Sequence, residues 1–435
     1  IYHVLKIRIT KITCIRKITW GIEEMSPFLR KISTFSIAML ASASAHAIQF
    51  DGFFTVGASI HDDDTNKGNP AGENIYISSL GDRGITEDLT FETDTRFGLQ
   101  ISSDVSENMS VVAQLLGTGT NSNFDAIVEW AYADWEFADW ISLRAGKIKQ
   151  PVYLVNDYVE VGYAYPWIRP PVEVYYQNNP LNTVNGAELL IAFPVGPGTL
   201  SFQPYIGSNR DDIPNTGGAA YFEAENIVGI DVKYSGRGYT VHASNFTCDV
   251  NTFGQTQVDG GLLGTLDVDL NGKGECDVTS AGLTFDVANV VVYAEWQERT
   301  TTETLSRPFG DQDAWYTTLG YRFGKWLPHI TYATIDGTAS TVTPGAITGS
   351  SLPPEGINFP IAVQTSITAG LRYEVNDSAA LKFEYSAVDV EDDPNELAST
   401  NNPFGANYGL FNTDFTKASP DGTVGVYSVA LDVIF

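Results

Sequence analysis

The chain has 435 residues, with 25 Lys and Arg against 53 Asp and Glu, a formal charge of −28 and three cysteines. Such acidity repels phosphate backbones and argues against nucleic acid as a partner. Length alone suggests two or three soluble domains, yet no Pro/Ser-rich linker or composition break divides the chain, so one large closed sheet is the better reading.

Residues 1–24 carry no recognisable pattern and read as translation upstream of a start at Met25. Arg30 and Lys31, the apolar run 32–40, and Ala41-Ser42-Ala43-Ser44-Ala45-His46-Ala47 follow. A basic region, a short apolar core and a small-x-small site predict a secretory signal over 25–47, cleaved after Ala47. The apolar run is too short for a membrane-spanning helix, which needs about 20 residues. Seven of the basic and two of the acidic residues lie in 1–47, which leaves −33 for residues 48–435.

Period-2 alternation predicts sixteen strands near 48–60, 91–103, 109–118, 125–137, 139–148, 184–193, 198–207, 224–235, 238–247, 277–287, 289–299, 312–323, 326–335, 364–375, 379–390 and 422–435. Short connectors such as 137–139, 235–238, 323–325 and 376–378 alternate with mostly long ones at 61–90, 148–183, 208–223, 248–276, 336–363 and 391–421. An even strand count, short turns at one end and long loops at the other is the organisation of bacterial outer-membrane barrels. Phe97, Leu99 and Ile101 alternate with Arg96, Gly98 and Gln100, and Leu381, Phe383 and Tyr385 with Lys382 and Glu384. Arg144, Glu295, Arg322, Arg372, Glu374, Lys382 and Glu384 then project to a common interior, because a basic residue in lipid at the midplane costs about 2–4 kcal/mol. So many inward charges imply water inside, since a dry interior would need each one paired. Trp130, Trp135, Trp140, Trp296, Trp315 and Trp326 lie near strand ends, as interfacial aromatic belts do.

The last strand ends on Phe435 with Val433, Leu431, Val429 and Tyr427 behind it at every second position. This resembles the closing strand of Gram-negative outer-membrane barrels, which implies recognition by the barrel-assembly machinery. The aromatic, apolar segment from Ile148 through Tyr153, Tyr158, Tyr165 and Trp167 to Thr183 wants burial, and the barrel interior offers it. With Arg144-Ala145-Gly146-Lys147-Ile148-Lys149-Gln150-Pro151 at its entry, the chain resembles the sixteen-stranded trimeric porins, whose third outer loop folds into the lumen. The resemblance implies a constriction at 148–183 with Arg96 and Arg144 on the wall facing Asp157, Glu160 and Glu173 on the loop. Lys147, Lys149 and Arg169 either join that field or pin the loop to the wall by ion pairs.

Cys248 and Cys276 flank one long outer loop, and in an exported protein they read as a disulfide closing its base. Within it, Asp267, Asp269 and Asn271 followed by Gly272 match the first half of a calcium loop. Val278 stands where a bidentate Glu is expected, so a solvated acidic turn is the simpler reading and structural calcium the alternative; no other cofactor is expected. His242 and Ser244 share a strand face as a hydrolase pair would, but polar residues in alternation are usually wall residues, and an enzyme is not expected.

The expected fold is therefore all-β: a transmembrane antiparallel barrel of about 16 strands over 48–435 with an inward-folded loop. The expected function is a water-filled channel in the cell outer membrane for small hydrophilic solutes and ions, cation-preferring. By resemblance it is a homotrimer, surrounded by outer-membrane lipid and lipopolysaccharide. A substrate-selective channel of the same fold and a plugged barrel acting in adhesion or binding are the alternatives.

Overall fold

The computed structural model describes residues 48–65, 75–77, 84–120, 123–175, 181–212, 220–259, 265–269, 271–302, 311–337, 340–342, 347–348, 357–359, 363–390, 409–411 and 422–435. The leader segments expected at 1–24 and 25–47 lie outside the described residues.

Sixteen strands form the wall: β1 Gln49–His61, β2 Arg96–Ser106, β3 Met109–Thr120, β4 Asn123–Ala138, β5 Ile141–Lys149, β6 Thr183–Val195, β7 Gly198–Asp212, β8 Ala220–Gly236, β9 Tyr239–Asp259, β10 Gly272–Val287, β11 Val290–Thr301, β12 Gln312–Tyr321, β13 Trp326–Gly337, β14 Val363–Asn376, β15 Ala379–Val390 and β16 Thr423–Ile434. Each pairs antiparallel with its sequence neighbour, and β1 also pairs with β16, from Phe53↔Ile434 to His61↔Val426, so the sheet closes and has no free edge.

Alternation decides which face points where. On β16, Val424, Val426, Ser428, Ala430 and Asp432 are buried inward, while Tyr427, Val429 and Leu431 are exposed outward. On β13, Leu327, His329, Thr331, Ala333 and Ile335 are buried inside the wall and Ile330 and Tyr332 stand outside it. Trp135, Trp140, Trp296, Trp315 and Trp326 are also exposed outward, so the outer face is apolar and aromatic and matches hydrocarbon better than water. Short turns gather at one end. At the β8–β9 turn Gly238 has φ +79, and a Cβ there would meet the Asp286 carbonyl at 2.5 Å. The two ends of the barrel meet at the same end, where Gly52 N–H donates to the Phe435 carbonyl at 2.8 Å.

β9 and β10 run well past the expected 247 and 277. Thr247, Asp249 and Asn251 on the outward side hide the alternation, but Cys248, Val250 and Thr252 are still buried inward, and the ladder continues to Gly272↔Thr252. Cys248 and Cys276 are therefore register partners inside the ladder, disulfide-bonded with Cα atoms 5.1 Å apart, rather than a clasp at its end. Asp267 and Asp269 belong to a short strand, Thr265–Asp269, paired with the end of β9, and the Asn271 side chain accepts from Gly254 N–H at 3.2 Å. An extended backbone is not the turn that the calcium-loop reading required.

Part of the lumen is filled from the long-loop end. Tyr76 bridges Ile85 and Phe411, and Leu410, Phe411, Val388, Val424 and Val426 are buried in one cluster with them. Gln364 on β14 ties this layer down by donating to the Tyr76 hydroxyl at 3.2 Å and accepting from Leu410 N–H at 2.9 Å.

Candidate functional site: a loop docked across the lumen

Between β5 and β6 the chain turns inward. Pro151, Pro166, Pro170 and Pro171 prevent a continuous helix, leaving single turns at Asn156–Tyr158 and Gly162–Ala164 and one short helix, α1 Val172–Tyr175. Val155, Ile168 and Val174 are completely buried, and Trp167 packs edge-on against Tyr293 and Tyr316 with centroids 4.7 and 5.6 Å away.

Irregular backbone in a packed interior must find hydrogen-bond partners, and the wall supplies them. The Val152 carbonyl accepts from Ser244 at 2.7 Å and Ser280 at 2.5 Å, and Leu154 N–H donates to Glu295 at 2.7 Å. Arg372 donates to the Tyr163 and Tyr165 carbonyls at 2.7 Å each, Lys382 to those of Gly162 and Trp167, and Ile168 N–H donates to Glu384 at 3.0 Å. Lys382 also pairs with Asp432 at 2.8 Å, and Arg372 with Glu374 at 2.8 Å. Glu295, Arg372, Lys382 and Glu384 are thus all buried, which corrects the expectation that inward charges imply a wet lumen along this arc. They face inward as expected, but they dock the loop. Arg322, at the turn end, is paired with Asp286 at 2.5 Å.

The loop cations separate by role. Arg169 grips Asp94, in the β1–β2 connection, at 2.9 and 2.7 Å and reaches the hydroxyls of Ser59 and Ser428 at 2.8 Å each. Burial pushes the Asp94 carboxyl up, but Arg169, Ser59 and Arg96 outweigh it and hold the pKa below its ordinary value. Lys149 pairs with Glu129 in a buried contact, and Lys147 donates to the Val128 carbonyl at 2.8 Å, so both stay on the wall.

The loop acids separate too. Glu160 pairs with Arg96 at 3.7 Å; Arg96 also donates to the Tyr165 hydroxyl at 2.7 Å. Asp157, its side chain 51% exposed, pairs with Lys233 at 3.5 Å and lies within electrostatic range of Glu188 and Tyr132. Glu173, by contrast, is buried and accepts from Gln364 at 2.9 Å and Ser366 at 2.7 Å, so it does not face Arg96 or Arg144 as expected. Burial raises its carboxyl pKa, with those hydrogen bonds offsetting part of the rise. Among the described residues, Arg144 meets no loop acid at ion-pair distance. It pairs with Asp134 at 2.8 Å and Glu188 at 3.3 Å and lies over the Tyr132 ring at 5.0 Å.

Partly exposed charge in the lumen therefore gathers between Asp157 and Glu160 on the loop and Arg96, Asp134, Arg144 and Lys233 on the wall, with the buried Glu188 paired to Arg144. Sequence reasoning missed Asp134, Glu188 and Lys233. Two of these are legible by counting from the short turns: Asp134 and Arg144 are equidistant from Asp139, and Lys233 and His242 flank the 237–238 turn symmetrically. His242 and Ser244 do not form a pair. His242 contacts Asp231 at 3.1 Å, while Ser244 donates to the Val152 carbonyl.

No family model matches this chain, and no curated protein does. Solved structures share its fold. OmpT of Vibrio cholerae, an outer membrane protein folded in vitro, is 12% identical with a TM-score of 0.53, over 91% of this chain and 99% of that one. Its trimer form gives 10% and 0.50 over 89% and 100%. The outer membrane channel DcaP of Acinetobacter baumannii is 11% identical with a TM-score of 0.51, over 91% and 99%. The chain is similar to these in fold: a closed sixteen-stranded antiparallel barrel of the kind found in outer-membrane proteins and channels.

Proposed function

We propose that this chain forms a channel in the Gram-negative outer membrane through which small hydrophilic solutes and ions diffuse passively, with a preference for cations. The observation that carries the reading is the docked loop. It occupies the lumen from the β9–β16 side and turns Asp157 toward Lys233 on β8 and Glu160 toward Arg96 on β2, beside a wall cluster in which Asp134 and Glu188 pair with Arg144. Clustered carboxylates in a narrow passage concentrate counter-ions. The apolar outer face, with Tyr427, Val429 and Leu431 exposed on β16, supports insertion by the barrel-assembly machinery into a bilayer of lipid and lipopolysaccharide, and the trimer form of OmpT supports a homotrimer. An enzymatic reading has little to stand on, because Ser244 is spent on the loop backbone and its neighbour His242 is enclosed by carboxylates.

Because the loop and the Tyr76–Phe411 layer fill much of the interior, a substrate-selective channel is the second reading. Recording the refolded protein in a planar bilayer separates them: steady steps linear in voltage and salt are expected of the general channel, and saturation by one solute of the selective one. Silence would reject both.

A further inference from the structure

His242, Gly282 and Glu295 stand side by side on β9, β10 and β11, since Gly282 is the register partner of both. A Cβ at Gly282 would lie 3.1 Å from His242 Nε2. The missing side chain lets the imidazole lie across β10, with Nε2 at 3.4 Å from Glu295 Oε1 and Nδ1 at 3.1 Å from Asp231 Oδ1. All three side chains are shut off from solvent.

Each carboxylate has a second task. Glu295 holds the loop, accepting from Leu154 N–H, from the Tyr175 hydroxyl at 2.5 Å and from the Tyr316 hydroxyl of β12 at 3.3 Å. Asp231 holds Lys233 at 3.1 Å, and Lys233 reaches Asp157 at 3.5 Å. The groups that face His242, directly or through one partner, are thus Asp231 and Lys233 from β8, Glu295 from β11, Tyr316 from β12 and Tyr175 from the loop, with Asp157 of the loop one step further through Lys233. A neutral imidazole donates from one nitrogen only, so with Nδ1–H on Asp231 its Nε2 lone pair would oppose the Glu295 carboxylate. An imidazolium donates to Asp231 from Nδ1 and turns a positive N–H, rather than a lone pair, toward Glu295 across 3.4 Å.

We infer that His242 is a positioning residue of the constriction: as an imidazolium it binds the loop anchor Glu295 and the Lys233 holder Asp231 together, so that its proton controls how strongly Lys233 neutralises Asp157. This rests on the channel reading. When the proton leaves, Asp231 loses a cation and draws Lys233 away from Asp157, whose charge is then free to act on permeating ions. Cation preference rises with pH across the imidazole range.

The test pairs two measurements on the full-length refolded protein. In a planar bilayer under a KCl gradient, the cation-to-anion permeability ratio is expected to rise about twofold between about pH 6 and pH 8.5. His242→Gln and Lys233→Met are each expected to fix it at the high value. Gly282→Ala, which changes no titratable group, is expected to flatten the profile. Separately, nitrogen NMR of labelled histidine in detergent is expected to find both ring nitrogens of His242 protonated at about pH 6.5 in the parent protein, where Gly282→Ala leaves one bare. A conducting channel with a flat profile, a His242→Gln profile that still follows the parent, or a His242 ring with one bare nitrogen at that pH overturns the inference. A silent bilayer with a doubly protonated His242 rejects the channel reading instead and leaves the imidazolium bridge standing.

Discussion

Glu173 shows how far burial can redirect a residue from the role its charge suggests. An acid on a lumenal loop invites a pore-lining reading, but one helical turn at α1 rotates it into Gln364 and Ser366. Because burial raises its pKa, the stability cost of its ionisation is absent below the unfolded value, grows as pH rises toward the folded value and then levels off. Glu173→Gln, which keeps the acceptor, is therefore expected to raise the unfolding temperature at neutral pH, with the gain gone by about pH 4. Glu173→Ala removes the acceptor that Ser366 and Gln364 share and is expected to lower stability by about 1–3 kcal/mol. Asp94 carries the opposite sign. Its depressed pKa contributes stability that is present at neutral pH and lost as pH falls through the folded value. Arg169→Met would strand that carboxylate, with an expected loss of about 3–5 kcal/mol, and adding Asp94→Asn should recover much of it; heat-induced mobility shifts in detergent measure both.

At the scale of the element, the loop is held by buried contacts on many strands, which sequence alone did not reveal. The aromatic content of 148–183 made its inward fold legible, because a solvated loop has no use for Trp167 or Tyr165. The partners were not legible, since Thr318, Thr331 and Ser244 look like any wall residue until register is known. Trp167→Ala removes the largest fully buried side chain and is expected to cost about 3–5 kcal/mol of docking, read as faster proteolysis within 150–182 while the barrel fragment resists. β9 and β10 carry the other lesson. Polar residues on their outward side hid the alternation beyond Cys248, yet the ladder goes on to Thr252 and Gly272. Reducing the disulfide is therefore expected to leave conductance unchanged and to speed cleavage only modestly between the cysteines; prompt loss of the channel on reduction would contradict this.

For the whole molecule, all sixteen expected strands are present, because period-2 alternation in a sheet with one apolar and one polar face is strong enough to read strand by strand. What alternation cannot reveal is which inward charges meet water. Arg372 and Lys382 look the same in sequence as Arg144, and only the docked loop divides the buried anchors from the exposed passage. The reversal potential across a bilayer under a KCl gradient reads out that division between anchors and passage. Replacing Asp157 with Asn and Glu160 with Gln together is expected to lower the cation-to-anion permeability ratio about threefold or more. Glu173→Gln and the turn variants Asp104→Asn and Glu107→Gln should leave it where it was. An unchanged ratio in the Asp157/Glu160 variant, or an equal fall with Glu173→Gln, would mean that these loop acids do not bound the passage.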